Sequence, residues 1–143
     1  MVFIVDAGSE YNAPIEKIWK LNQAHATDSE KIHPKTKNNK MELVNDTTAI
    51  ASWDDVSQSP PTRIKMKFTN FAPLGMVAEA LEGPMKGSKF FNYYTPNGNK
   101  TGVTVVGDFK STVIPESQLK GAVLAFLEQA YNDDSAYLAK MPT

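Results

Sequence analysis

Asp134 is the side chain in this sequence with the most chemical promise. It falls at a helical angle close to Val123 and Leu127, inside an otherwise apolar stripe. A carboxylate among apolar groups needs a partner and can serve as an acid or base. The plainer expectation, which the sequence favours, is that the stripe leaves the core near the helix end and Asp134 meets water. His25 and His33 are the only histidines, with Asp28 and Glu30 between them. Nothing like the HExxH spacing accompanies them, so no metal site is expected, and His33 reads as a helix-end residue. Asp54, Glu79 and Asp108 lie in strand-like segments, where surface placement is the simpler expectation.

Other chemistries are excluded or weak. There is no cysteine, so disulfides, thiolate catalysis and cysteine-based zinc sites cannot occur. No G-x-S-x-G motif marks a nucleophile elbow. Gly83-Pro84-Met85-Lys86-Gly87 is glycine-rich, but a strand follows it where a phosphate loop needs a helix. That loop is expected to be a plain turn. Arg63, Lys65 and Lys67 form a basic stripe on one side of a strand, expected to be a solvated face offset by nearby acids. The net charge of −1, with both signs interspersed, gives no nucleic-acid footprint. No catalytic residue and no cofactor is assigned.

These side chains must be positioned by a single domain spanning 1–143. With 41% hydrophobic and 22% charged residues, the chain can bury a core without disulfides or metals. No apolar run approaches the roughly 20 residues of a membrane span. The first residues have no basic segment and reach Asp6 too soon for a signal peptide, so a cytoplasmic location is expected.

Alternation predicts a strand over Val2 to Tyr11. Pro14 then opens a helix carrying Ile15, Ile18 and Trp19, and Thr27 with Glu30 suggests a second cap and a second short helix to about His33. Lys35 to Lys40 reads as a polar link. Strands are predicted at Met41–Val44, Thr47–Val56, Arg63–Thr69, Met76–Glu82, Lys86–Thr95 and Lys100–Thr112. Turn signals separate them, including Asn45-Asp46 and the Asn97-Gly98 tip. Gly107 in mid-strand suggests a bulge or bend. Short connections imply antiparallel neighbours. Pro115 opens a long helix to about Lys140, roughly 39 Å at 1.5 Å per residue. Its apolar stripe holds Leu119, Val123, Phe126, Leu127, Ala130, Tyr137, Leu138 and Met141.

The segment Asn12-Ala13-Pro14-Ile15-Glu16-Lys17-Ile18-Trp19 resembles the strand, Pro break and Trp-bearing helix of the START / Bet v 1-like superfamily (SRPBCC, helix-grip). His33-Pro34 before a strand and the long helix after Ile114-Pro115 are similar to that family's connections, and the resemblance covers essentially the whole chain. It implies an α+β helix-grip fold: a seven-stranded curved antiparallel sheet wrapped around a long C-terminal helix, with two short helices after strand 1. It also implies a cavity between sheet and helix.

The candidate lining is Ile64, Met66, Phe68, Phe90, Tyr94, Val105 and Phe109 from the sheet, and Val123, Phe126, Leu127, Ala130 and Asp134 from the helix. The function so implied is binding or transport of a hydrophobic small molecule, lipid-like or polyketide-like. The alternatives are a polyketide cyclase or aromatase using a cavity carboxylate, and a co-chaperone-like interaction module with a filled core. The expected partner is therefore a hydrophobic small molecule, with no nucleic acid and no integral membrane association.

Overall fold

The computed structural model describes residues 1–57 and 59–142. In chain order the elements are β1 (Val2–Tyr11), α1 (Ile15–Ile32), β2 (Thr36–Leu43), β3 (Thr48–Asp55), β4 (Thr62–Phe71), β5 (Gly75–Glu82), β6 (Lys89–Asn97), β7 (Lys100–Phe109) and α2 (Glu116–Lys140). The strands form one antiparallel sheet in the order β1-β7-β6-β5-β4-β3-β2. From β2 onward each strand pairs with the next in sequence, as short connections require. α1 carries the chain from β1 at one edge to β2 at the other.

The two short helices expected after β1 form one helical run kinked at Asp28, whose backbone (φ −118°, ψ 19°) leaves the helical range. The break falls one residue after Thr27, where the capping pattern placed it. The Tyr137 hydroxyl holds the kink by donating to Asp28 Oδ2 at 2.5 Å. Lys35 to Lys40 is not a link: β2 begins at Thr36. An edge strand with both faces near water needs no apolar alternation, so its sequence carries no strand period.

β4 shows the clearest division of faces. Met66 is buried and Ile64 and Phe68 are half-buried on the concave side. On the other side Arg63 pairs with Asp54 at 3.1 Å and Lys65 with Glu82 at 3.8 Å. The basic stripe is thus a solvated, acid-matched face. Gly107 is needed for close approach rather than for a bulge. A Cβ there would lie 2.3 Å from Lys89 O and 2.5 Å from Phe90 Cα. The irregularity in that strand pair lies between Asp6 and Ser9 of β1.

The core falls into three clusters. One joins α1 to the sheet through Tyr11, Ile18, Leu21, Ile32, Tyr94 and Leu138. A second lies under the first half of α2, where Leu119 and Val123 pack on Ile4, Val105 and Phe109. The third, Met66, Ala78 and Ala80, belongs to β4 and β5 and contains no helix residue. α2 rests on β1 and α1 and makes no extensive contact with β3, β4 or β5 among the described residues. No helix among the described residues is long and apolar enough to cross a membrane.

Candidate functional site

The concave face is covered on one side and open on the other. Over β1 and β7 the side chains of α2 close it, and Val105, Phe109 and Val123 are buried there. Over β3 to β5 the floor is made of Ala78 and Ala80, and around it Trp53, Ile64, Phe68, Met85 and Phe90 are packed but only half-buried. Cross-strand pairs set this arrangement: Trp53 faces Ile64, Met66 faces Ala51 and Ala80, and Phe68 faces Ala49 and Ala78. Large and small residues thus alternate in register across this part of the sheet. The Phe90 ring is fixed by stacking on Phe109, with centroids 5.2 Å apart.

Phe126 belongs to the apolar stripe of the long helix and to the candidate cavity lining, and it is 56% exposed. It follows Val123 by three residues, which puts it about 60° round the helix on the side opposite Tyr131. Tyr131 is turned to β1, where its hydroxyl donates to Glu10 O at 2.6 Å. Asp133, seven residues after Phe126 and so on its side of the helix, reaches His33 at the approach to β2. Phe126 therefore lies on the His33 side of α2, mostly in water. Leu127 packs at the margin of the covered cluster, and Ala130 is half-buried.

The remaining sheet candidate, Tyr94, sits in the cluster under α1, edge-on to Trp19 with ring centroids 5.6 Å apart. Two surface depressions lie elsewhere. One of about 470 Å³ is lined by Thr27, Asp28, Glu30, Lys31, Pro34 and Lys37. The other, about 170 Å³, lies on the convex face between Lys67, Thr69, Phe71, Val77, Glu79 and Lys89. Neither depression lies between α2 and the concave face of the sheet. The Gly83–Gly87 loop is a turn, fastened by bonds from Thr112 N–H and Ser111 Oγ to Pro84 O at 2.9 and 2.8 Å.

At the other end of α2 a polar group is built into the fold. Asp134 is not out in water as the sequence suggested: its side chain is 17% exposed. Its Oδ2 accepts from the Tyr11 hydroxyl at 3.4 Å. Its Oδ1 is buried without a hydrogen-bond partner and stands 3.5 Å from both His25 Nε2 and His33 Nε2, within ion-pair range only. The two histidines meet at 3.1 Å, Nε2 to Nε2. His25 Nδ1 contacts Leu21 O at 2.9 Å, and His33 Nδ1 contacts Asp133 Oδ2 at 3.0 Å. Nearby, Asn22 Nδ2 donates to the Tyr94 hydroxyl at 3.1 Å.

The electrostatics follow from burial and from Asp134. Burial opposes charge on His25, but the bonding and charge of Asp134 and the carbonyls of Leu21 and Asn22 outweigh it, leaving the imidazole above its ordinary pKa. Burial, with only partial relief from the Asn22 bond, pushes the Tyr94 phenol up to about 12. Burial and then the Asp134 charge drive the Tyr11 phenol further in the same direction.

Sequence reasoning missed this meeting of side chains. One signal was available: His25 follows Ile18 and Leu21 on the buried face of α1 at positions i+7 and i+4. The partner carboxylates lie about a hundred residues away, and no spacing rule links them.

No family model matches the chain, and no curated protein matches it in sequence. Solved structures match it along nearly its whole length. Ara h 8.0201 superposes with a TM-score of 0.75 at 12% identity, covering 98% of this chain and 99% of its own. A START superfamily protein from Mycobacterium smegmatis gives 0.73 at 11% identity, covering 98% and 99%. The Zhui aromatase/cyclase from Streptomyces sp. R1128 gives 0.72 at 10% identity, covering 96% and 90%. At these identities the agreement is one of architecture, and it matches the element order and sheet topology described above. The chain has the Bet v 1/START helix-grip fold.

Proposed function

We propose that this protein binds a hydrophobic small molecule, lipid-like or polyketide-like, between α2 and the concave face of β3 to β5, as a carrier or sensor. The observation that carries the reading is the incomplete burial of Trp53, Ile64, Phe68, Met85 and Phe90, grouped on one face of the sheet. Large apolar groups grouped on a concave surface lose free energy when a ligand takes them out of water, about 2.5 kcal/mol per 100 Å² of apolar area. The fold neighbours support the same reading: one is named as an aromatase/cyclase and another as a START protein.

Native mass spectrometry of the chain with a saturated fatty acid, a sterol and a fused-ring aromatic tests it. One molecule bound per chain is expected for at least one class, with a matching rise in melting temperature. No adduct from any class, with melting unchanged, overturns the proposal.

The inward turn of Asp134 favours a second reading, an enzyme of the cyclase kind in which that carboxylate moves a proton. It predicts that Asp134→Asn keeps ligand affinity but stops conversion of a polyketide-like substrate. If the unaltered chain leaves such a bound substrate unchanged, this second reading fails while the binding reading stands.

A further inference from the structure

We propose that His25 Nε2, His33 Nε2 and Asp134 Oδ1 form a binding site for a divalent transition-metal ion of the zinc class. Leu21 O and Asp133 Oδ2 can only accept, so each histidine carries its proton on the Nδ1 that faces them. In the neutral imidazoles both Nε2 atoms then present lone pairs, and they face each other at 3.1 Å. Asp134 Oδ1 adds a third set of lone pairs 3.5 Å from each and has no hydrogen-bond partner of its own. Three acceptors converge on one point, where either a proton shared between the ring nitrogens or a bound cation relieves them, and only a cation meets all three at once.

The dimensions suit one ion. A triangle of sides 3.1, 3.5 and 3.5 Å has a circumradius of about 1.95 Å, so a point 2.0–2.1 Å from all three atoms lies about 0.4–0.8 Å out of their plane. A tetrahedral ion sits one third of a bond length out of the plane of three ligands, about 0.7 Å for zinc bonds. Two imidazoles and one carboxylate select zinc or a neighbouring transition ion over magnesium or calcium, which prefer oxygen alone. The outer partners match as well, since a ligating histidine generally donates its other ring N–H to a carboxylate or a carbonyl. His33 has Asp133 and His25 has Leu21 O. Three protein ligands leave a fourth position for water or another ligand.

The ion would clip three separate segments together: α1 at His25, the link into β2 at His33, and α2 at Asp134. This inference does not depend on the concave face being a ligand site.

Equilibrium dialysis of the tag-free full chain against zinc chloride tests it, with melting curves in zinc and in chelator. One ion per chain is expected, and at about 100-fold excess over Kd the melting temperature should rise by the order of 5–10 °C. Asp134→Asn and His33→Gln should each weaken binding by at least about tenfold, and Asp133→Asn, which alters only the outer partner, by about 10–100-fold. Cobalt(II) in place of zinc should give the intense visible absorption of a tetrahedral site. Ring-nitrogen NMR of the unaltered chain provides a readout that needs no variant: zinc should shift Nε2 of both histidines. Absence of zinc uptake, uptake unchanged in all three variants, or uptake that leaves both imidazoles unshifted would each overturn the proposal.

Discussion

The two halves of the concave face differ in what covers them, and the difference separates structure from function. Over β1 and β7, Ile4, Val105 and Phe109 are shut in by Leu119 and Val123 of α2. Over β3 to β5, side chains of the same type pack in a cluster without helix residues and stay only partly buried. Residue type alone would rank Phe109 and Phe68 alike. Burial makes one a core residue and leaves the other partly open.

The largest expected effect lies in the covered half. Phe109→Ala should cost about 3–5 kcal/mol of stability in urea denaturation, since it empties a closed site beneath α2. A loss below about 1 kcal/mol would show that this half is no better packed than the other. Alkaline pH offers a second comparison, between the folded cluster under α1 and the unfolded chain. The Tyr94 phenol ionises near 10 in the unfolded chain and at about 12 in the folded one. Below pH 10 both states keep the proton and the full stability is present. As the pH rises from 10 toward 12 the unfolded chain loses its proton first, and stability should fall by about 2–3 kcal/mol. Phenolate absorbance should show Tyr94 and Tyr11 titrating above the ordinary range of a phenol, and titration of both near pH 10 would contradict the burial described.

In the open half the balance reverses. Phe68→Ala should cost about 1 kcal/mol or less in stability, while lowering affinity for a hydrophobic probe by about tenfold, which is about 1.4 kcal/mol. Equal losses in both quantities would make Phe68 an ordinary core residue. The smallest stability effect is expected for Phe126→Ala, within about 0.5 kcal/mol, because the ring is mostly in water already. Its affinity loss should still be measurable by the same probe titration.

Much of the fold was legible because local signals and global topology agree. The alternation of Arg63 to Phe68, the Asn97-Gly98 tip and the Pro14 and Pro115 helix starts all lie where the elements begin, turn or face as expected. β2 was shortened in the reading because an edge strand is polar on both sides. Phe126 falls in the apolar stripe by angle yet is mostly in water, because periodicity gives the angle of a side chain but not the width of the surface it meets. The polar cluster was legible only in part. His25 lies on a recognisably buried helix face, but His33, Asp133 and Asp134 are brought to it by the sheet's closure of β1 against β7 and by the kink at Asp28. Those are long-range consequences of topology, invisible to spacing.

The central claim is that the uncovered half of the sheet is a binding surface, and Trp53 stands in it. Replacing the other tryptophan, Trp19→Phe, leaves Trp53 as the sole indole reporter. Titrating this chain with a long-chain fatty acid and with anilinonaphthalene sulfonate should give a saturable, single-site change in Trp53 emission for at least one of them. Adding Ile64→Asp, directly opposite Trp53, should abolish that change while the melting curve stays close to that of the parent. A response that never saturates, or one that Ile64→Asp leaves intact, would contradict the account.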